Sequence, residues 1–499
     1  MSALTPARYQ PVSLDGASLT LAGLASIVAG APAVVDPSAL DRARRGQEAA
    51  DRVTAERHVY GRTTGVGAGR EEVTSAPVSH GLRLLRAHAA GWGEPLPVDV
   101  VRCALAIRAN QLLVGGSGAS PDLAVALAEL ACGPEGDLPV VHRYGGLGTG
   151  DLTACAEVGL ALLGERPRAD GGRRQRLQLT SADALPLMSS NAFTLAQAAL
   201  GALALGELAD AANTVASLTW LGLRGNPESV DPAVERATPF PGAARVARAV
   251  RGLIREQEVV PQYIQDFFGL RTWPQVHGPV LDAVDQLASV VEASVNTSSE
   301  NPLFTPATAT TPDMVTHHGG FHAAYLVLAI DTTMLALCRS AQAVQSRISH
   351  LLTDRDHGLP LFLSDATQGS SGVLIGEYVA GSALALIIGH ASAPASIQTV
   401  GVSAGIEDDA SFAGLAAVRV APALEAYRRM LGVELLCALR ALRLRGTTVT
   451  GRLGEVVGLC SVLPADLGDH DVLPDLDAAE ALVGDLAAYG QSSPSSAVS

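Results

Sequence analysis

Five segments carry residue types that can do chemistry. In Tyr60–Gly67, YGRTTGVG, a tyrosine stands among three glycines, the mark of a tight loop that another backbone or a ligand approaches closely. Such a phenol can move a proton or simply cap a core. Tyr144–Asp151, YGGLGTGD, reads either as an anion cradle at a helix N-terminus or as a plain turn. No Lys-Ser/Thr pair follows it and no strand clearly precedes it, which weighs against a phosphate site. Gln265–Gln275, QDFFGLRTWPQ, offers Arg271 as a bidentate carboxylate clamp or as half of a structural ion pair. Gly401–Asp409, GVSAGIEDD, ends on Glu407, Asp408 and Asp409, which could supply a base, a cap or a solvated loop. His317, His318 and His322 invite a zinc reading, because two of them are four apart. Gly319 and Gly320 break any helix there, so no metal is assigned.

These segments interrupt helical patterns. Leu82, Leu85, His88 and Ala89 recur at helical steps, as do Val100, Leu105, Ile107 and Leu112, within Ser79–Gly115. Asp151 stands where an N-cap would open a helix through Leu152, Ala156, Val158, Leu160 and Leu163. Leu19–Val35 reads as a short packed helix, not a leader, because it starts late and only Arg8 precedes it as a basic residue. Long helices are expected at Phe193–Leu223, His277–Thr297, Phe321–Leu352, Val373–Ser392 and Ala421–Leu444. Gly164–Gln178 has the turn chemistry of a small β-hairpin, its arginines read as a solvated face. The tail Gln491–Ser499, QSSPSSAVS, reads as disordered.

Composition narrows the class. A chain of 499 residues allows about three domains or one large helical assembly. Hydrophobic residues at 48% against 17% charged ones make it globular. Only 4% are aromatic, and the abundance of alanine and leucine favours helices over a sandwich. A net charge of −15 argues against a nucleic-acid partner and against an anionic membrane surface. No apolar run free of charges and turn-formers is long enough to suggest a membrane span. Six scattered cysteines without a CxxC pair fit reduced thiols and a cytoplasmic location.

Taken in order, YGRTTGVG, RAHAAGWGEPLP, RANQLLVGGSG, GTGDLTACAEVGLALLGE, QDFFGLRTWPQV, SSENPL, HGGFH, SRISHLL and GIEDD resemble the histidine, phenylalanine and tyrosine ammonia-lyases and the related aminomutases. The likeness runs from about Ser18 to about Leu444. It implies an all-α, long-helix bundle of the ammonia-lyase type, with a small loop-rich N-terminal part and a short β-hairpin. It also implies a homotetramer in which several subunits build each site. The family electrophile is a methylidene-imidazolone (MIO), made when the glycine nitrogen of an internal Ala-Ser-Gly attacks the alanine carbonyl and two waters leave. By the same resemblance Tyr60 matches the β-proton base, Arg271 the carboxylate-binding arginine, Gln265 and Glu407 further active-site positions, and His88 a histidine facing the substrate side chain.

The chain departs from the family pattern at several points. The triad reads Gly148-Thr149-Gly150, so loss of the hydroxyl would give an ethylidene-imidazolone. Its extra methyl crowds the carbon to be attacked, and its β-branch stiffens χ1 in a turn that must compress. Ser189 aligns with a family asparagine, with Asn191 two residues on. Phe268 replaces a tyrosine and cannot donate a hydrogen bond. Gly320 replaces an asparagine, Gly405 and Ile406 replace an asparagine and a glutamine, and Ile387-Ile388-Gly389 replaces a Glu-Asn-Lys run. Arg62 stands where an apolar residue is usual.

The expectation is a lyase on carbon–nitrogen bonds, an ammonia-lyase or 2,3-aminomutase of a histidine- or tyrosine-like L-amino acid. A cofactor-free lyase, isomerase or cyclase with Tyr60 as base, its pKa lowered by Arg62, is the first alternative. A non-catalytic relative is the second. The catalytic set is Tyr60, Gly148, Thr149, Gly150 and Glu407. The substrate-binding set is Arg62, His88, Ser189, Asn191, Gln265, Phe268, Arg271 and Phe321. The sequence divides into 1–190 with the tyrosine loop and the Gly-Thr-Gly turn, 191–445 with the long helices, and 446–499 with terminal helices and tail.

Overall fold

The computed structural model describes residues 10–364 and 371–491. Helices dominate it, and the strands are three short two-stranded ribbons. Compactness groups the chain into two units assembled from separate stretches, whereas the sequence motifs suggest consecutive divisions at 190 and 445. The first unit holds 1–201, 287–331 and 394–418; the second holds 202–286, 332–393 and 419–499.

In the first unit a parallel ribbon, Val12–Leu14 with Ala33–Val35, brackets the helix Leu21–Val28. The packed helix expected over Leu19–Val35 is therefore shorter and ends in a strand. Helices Pro37–Glu56, Pro77–His88, Val98–Leu112, Pro121–Cys132, Leu152–Leu162 and Ser181–Met188 follow. A strand, Trp92–Pro95, interrupts the helical stretch expected across Ser79–Gly115 and pairs antiparallel with His142–Tyr144. The β-hairpin forms at Leu303–Thr305 and Met314–Thr316, where Leu303 faces Thr316.

No hairpin forms at Gly164–Gln178. The backbone there bonds within itself only in the tight turn Arg168–Gly172, while Ala169 N goes to Leu138 O and Arg176 N to Leu162 O, so no paired strands form. Nor are its arginines all solvated. Arg168 is buried and bonds Asp137 at 2.5 Å, and Arg166 bonds the fully buried Glu157 at 2.5 Å. The glycines turn the chain, and the carboxylates of Asp137 and the buried Glu157 then capture the guanidinium groups.

The long helices run Ala192–Leu223, Trp273–Val295, Ala324–Thr353, Leu374–Ala391 and Ala413–Arg445, within a few residues of the expected spans except where the last begins eight residues early. Ala192–Leu223 is alanine- and leucine-rich around its whole circumference, as a helix buried on all sides must be. By length and composition alone, Ser181–Leu223, Ala324–Thr353 and Leu374–Ile397 are apolar enough to cross a membrane. In the first two, 67% and 61% of the most apolar window is packed inside the protein, which accounts for their composition. The third is only 22% buried, and Ile375, Tyr378, Leu386 and Ile388 stand exposed on it.

The second unit holds a saturated polar core. Arg347 and Glu434, both fully buried, make two hydrogen bonds of 2.6 and 2.8 Å. Thr219 donates to the same carboxylate at 2.7 Å, and the guanidinium lies 4.0 Å from the Trp273 ring centre. His277 uses both ring nitrogens, on Ser340 Oγ and Ala209 O, and burial drives its pKa down to about 3, so it stays neutral. All six cysteines are free thiols. The tail read as disordered lies, from residue 492 on, outside the described residues.

Candidate active site

Within the first unit, loops from four parts of the sequence enclose a cavity of about 650 Å³. The first loop follows the helix Pro37–Glu56 and carries Tyr60. Its glycines are needed: Gly67 has φ +55°, and a β-carbon there would overlap Ser403 Oγ and lie 3.2 Å from Glu407 Oε1. The Gly67 N–H donates to Tyr60 Oη at 2.9 Å and fixes the ring. Burial pushes the Tyr60 pKa above 10. The Gly67 bond and Arg70 pull the other way, and Glu407 adds to the rise.

The second loop presents Glu407. Ser403, Ala404 and Gly405 all have positive φ, and Val402 bridges Glu407 across the turn. Two consecutive non-glycine residues in the left-handed region carry strain, which the Ser403 contact to the Ala68 N–H at 2.8 Å helps to hold. The third loop is the histidine run. His318 Nδ1 accepts from Gly320 N at 3.0 Å and its Nε2 donates to Glu300 O at 2.9 Å, so this imidazole shapes the loop. His317 packs edge-on to Tyr60, with ring centres 6.4 Å apart, and burial lowers its pKa. His322 Nε2 lies 3.4 Å from Asp409. Among the described residues no group of three or more His, Cys, Asp or Glu side chains is placed to hold a metal ion.

The fourth loop contains Gly148-Thr149-Gly150. Thr149 faces the cavity, while Gly148 (φ +85°) and Gly150 (φ +112°) are buried behind it. Asp151 sits at the N-cap position of Leu152–Leu162 but makes no cap bond to that helix. Its carboxylate bonds Thr194 N and Oγ, each at 2.8 Å, and so caps the helix Ala192–Leu223. Burial raises its pKa to about 6, against the pull of the Thr194 bonds. The expected N-cap therefore serves a different helix, because the turn folds its carboxylate back onto the next segment.

A profile of the aromatic amino acid lyase family matches residues 19–457. The chain belongs to that family. It is 32% identical to the histidine ammonia-lyase of Gloeobacter violaceus over 474 residues, covering 89% of this chain and 90% of that one. With the histidine ammonia-lyase of Symbiobacterium thermophilum it is also 32% identical over 500 residues, covering 94% and 96%. The tyrosine aminomutase of Streptomyces globisporus shares the fold with a TM-score of 0.89 at 24% identity, covering 96% of this chain and 98% of that one. The chain is thus an ammonia-lyase-family enzyme of the carbon–nitrogen lyase class, with the helical fold of that family.

Against this family frame, the cavity gathers Tyr60, Thr149, Ser189, Phe321 and Glu407 from the expected set. Asn191 stands behind it, accepting from Gly150 N at 3.2 Å and donating to Phe321 O at 2.6 Å. Ser189 Oγ accepts from Asn301 N at 3.2 Å. Arg62 does not line the cavity. Its guanidinium is buried over the Phe304 ring at 4.8 Å, 3.5 Å from Asp51 and bonded to Gly118 O. It neither lines the cavity nor lowers the Tyr60 pKa; the cation acting on Tyr60 is Arg70, and the net shift is upward. His88 bonds Leu84 O within its own helix and is not in the lining. Gln265, Phe268 and Arg271 belong to the second unit, where Arg271 bonds Gln265 at 3.0 Å and lies 4.7 Å over the Phe268 ring. Arg57, His58, Arg70, Glu71 and Asn301 line the cavity and were not singled out from the sequence. The polar run flanking Tyr60 was the available signal for the first four.

The family group fits this turn. The Gly148 carbonyl receives Ser411 Oγ at 3.0 Å and Ala323 N at 3.2 Å, and the Gly150 N–H points at an acceptor. Thr149 is the side chain that faces the cavity.

Proposed function

We propose that the protein is an ammonia-lyase or 2,3-aminomutase of a histidine- or tyrosine-like aromatic L-amino acid, acting with an ethylidene-imidazolone made from Gly148-Thr149-Gly150. The observation that carries this reading is one cavity facing Tyr60, Thr149 and Glu407 together. When formed, the group supplies an electron-poor alkene for the substrate amine. Tyr60, half-buried and held by Gly67, removes the β-proton. Glu407 sets the negative side of the pocket, and Phe321 with Ser189 bounds the substrate space. Arg271, with Gln265 and Phe268, takes the carboxylate in a site supplied by a neighbouring copy of a homotetramer, and His88 meets the side chain there. The exposed apolar face of Leu374–Ile397 supports assembly, since that much apolar surface needs cover.

Intact mass tests this directly. The purified chain should weigh less than its encoded mass by two waters and absorb in the near ultraviolet beyond tryptophan. An unmodified mass in protein that turns over substrate would leave the cofactor-free alternative, in which Tyr60 alone moves protons. The β-branch of Thr149 is the feature that favours that second reading. Histidine and tyrosine are the substrates to assay first, with ammonia release separated from β-amino acid formation.

A further inference from the structure

We propose that Ser411 is a catalytic residue of the self-modification, forming with the Ala323 amide a donor pair that polarises the Gly148 carbonyl for attack by the Gly150 nitrogen. This rests on the reading that the Gly148-Thr149-Gly150 turn cyclises. Ser411 is buried, and its hydroxyl orientation is fixed on both sides. Its oxygen accepts from Ala413 N at 3.3 Å, and its proton goes to Gly148 O at 3.0 Å. Ala323 N reaches the same oxygen at 3.2 Å. The next residue, Phe412, has φ +53° and donates to Leu147 O at 2.8 Å, so a strained backbone step clamps the serine beside the turn. On the other side, Asn191 Oδ1 accepts the Gly150 N–H at 3.2 Å. Its amide nitrogen is tied to Phe321 O, which turns the oxygen toward Gly150.

This arrangement matches the charge that ring closure develops. The Gly150 nitrogen bonds to the Gly148 carbonyl carbon, and its proton ends on the former carbonyl oxygen. That hydroxyl leaves as water with the Thr149 amide proton as the C=N bond forms. The second water takes the Thr149 hydroxyl and its α-proton, leaving the Cα=Cβ bond. No oxidant is needed. Negative charge gathers on the Gly148 oxygen during attack, where two fixed donors wait in a site closed to solvent.

The same hydroxyl explains the glycine at 148. A β-carbon there would overlap Ser411 Oγ and sit 2.9 Å from the amides of Phe412 and Ala413. The donor occupies the place of a side chain, so the serine and the bare residue at 148 go together.

The test is cell-free synthesis of the full chain, followed by intact mass from the end of translation, with helicity and elution volume as folding controls. Wild type should lose two waters. Ser411→Ala should fold and close on the order of 10²-fold more slowly, so that early samples carry the encoded mass. Gly148→Ala, which keeps the hydroxyl but displaces it, should slow closure too. Ser411→Cys, a weaker donor of similar size, should fall between, and is read in place of Ser411→Ala if that variant does not elute as wild type does. Equal closure rates in wild type and Ser411→Ala would overturn this assignment while leaving the imidazolone reading intact. A wild-type chain that keeps its encoded mass would overturn both.

Discussion

Two buried polar regions of this protein behave in opposite ways. In the second unit, Arg347, Glu434, Thr219, His277, Ser340 and Tyr427 form a network in which the carboxylate and both imidazole nitrogens are engaged. In the first unit, the turn around Thr149 is held by hydrogen bonds from Ser411 and Ala323 to Gly148 O and from Gly150 N to Asn191, and its threonine side chain faces a cavity. The polar side chains of the network are paired with one another in the core, so its charges serve stability. The turn leaves its threonine side chain facing the cavity, and on the proposed reading its two donors sit on the carbonyl that ring closure attacks. Buried polarity alone is therefore a poor sign of chemistry; what separates the two regions is which atoms are left facing space.

The largest effect expected is from Thr149→Ala. Without the hydroxyl the second water cannot leave and the alkene cannot form. Near-ultraviolet absorbance and lyase turnover should vanish, while far-ultraviolet helicity, set elsewhere, stays at the wild-type value. Tyr60→Phe should retain the two-water mass deficit yet lower kcat by about 10²–10⁴-fold, the usual worth of a positioned base. Because burial raises the Tyr60 pKa above 10, wild-type kcat/KM should climb with pH through the neutral range, and the variant should lose that slope.

Arg347→Met probes the saturated side of the comparison. It leaves Glu434 buried beside Thr219 without its cation, at a cost of about 3–5 kcal/mol in urea unfolding. Whatever fraction folds should still carry the modified turn; a variant that folds but stays unmodified would join the two regions functionally. The smallest effect is a pH dependence at Asp151. Its folded pKa of about 6 lies above the unfolded value of 3.8, so the folded state binds more protons between those limits. Stability from this group is greatest below pH 4 and is lost as pH rises toward 6. Asp151→Asn can keep both Thr194 bonds and should remove that component, up to about 3 kcal/mol, when unfolding is measured at pH 4 to 7.

Much of the fold was legible because helix periodicity is local. Alanine and leucine spacing placed five long helices and pointed to a bundle with a shared core. Glycines and polar residues interrupting the helical patterns likewise marked the Tyr60 loop, the Gly-Thr-Gly turn and the Glu407 loop, and the cavity joins all three. Arg62 was misplaced because sequence proximity to Tyr60 says nothing about direction; its stem turns into the core to stack on Phe304, 242 positions further along the chain. The Gly164–Gln178 hairpin failed because turn residues only permit a hairpin, while carboxylates at 137 and 157 took the arginines.

Composition and periodicity by themselves determined a helical, globular chain, and the ordered motifs determined its family. Only the tertiary structure decided that Ser411 bonds a carbonyl 263 residues away, and that Asp151 caps the helix at Thr194 rather than its own. The reason is physical. A helix is specified by neighbours three and four residues apart, whereas the partner of a buried polar atom is whichever distant segment packing brings within hydrogen-bond reach.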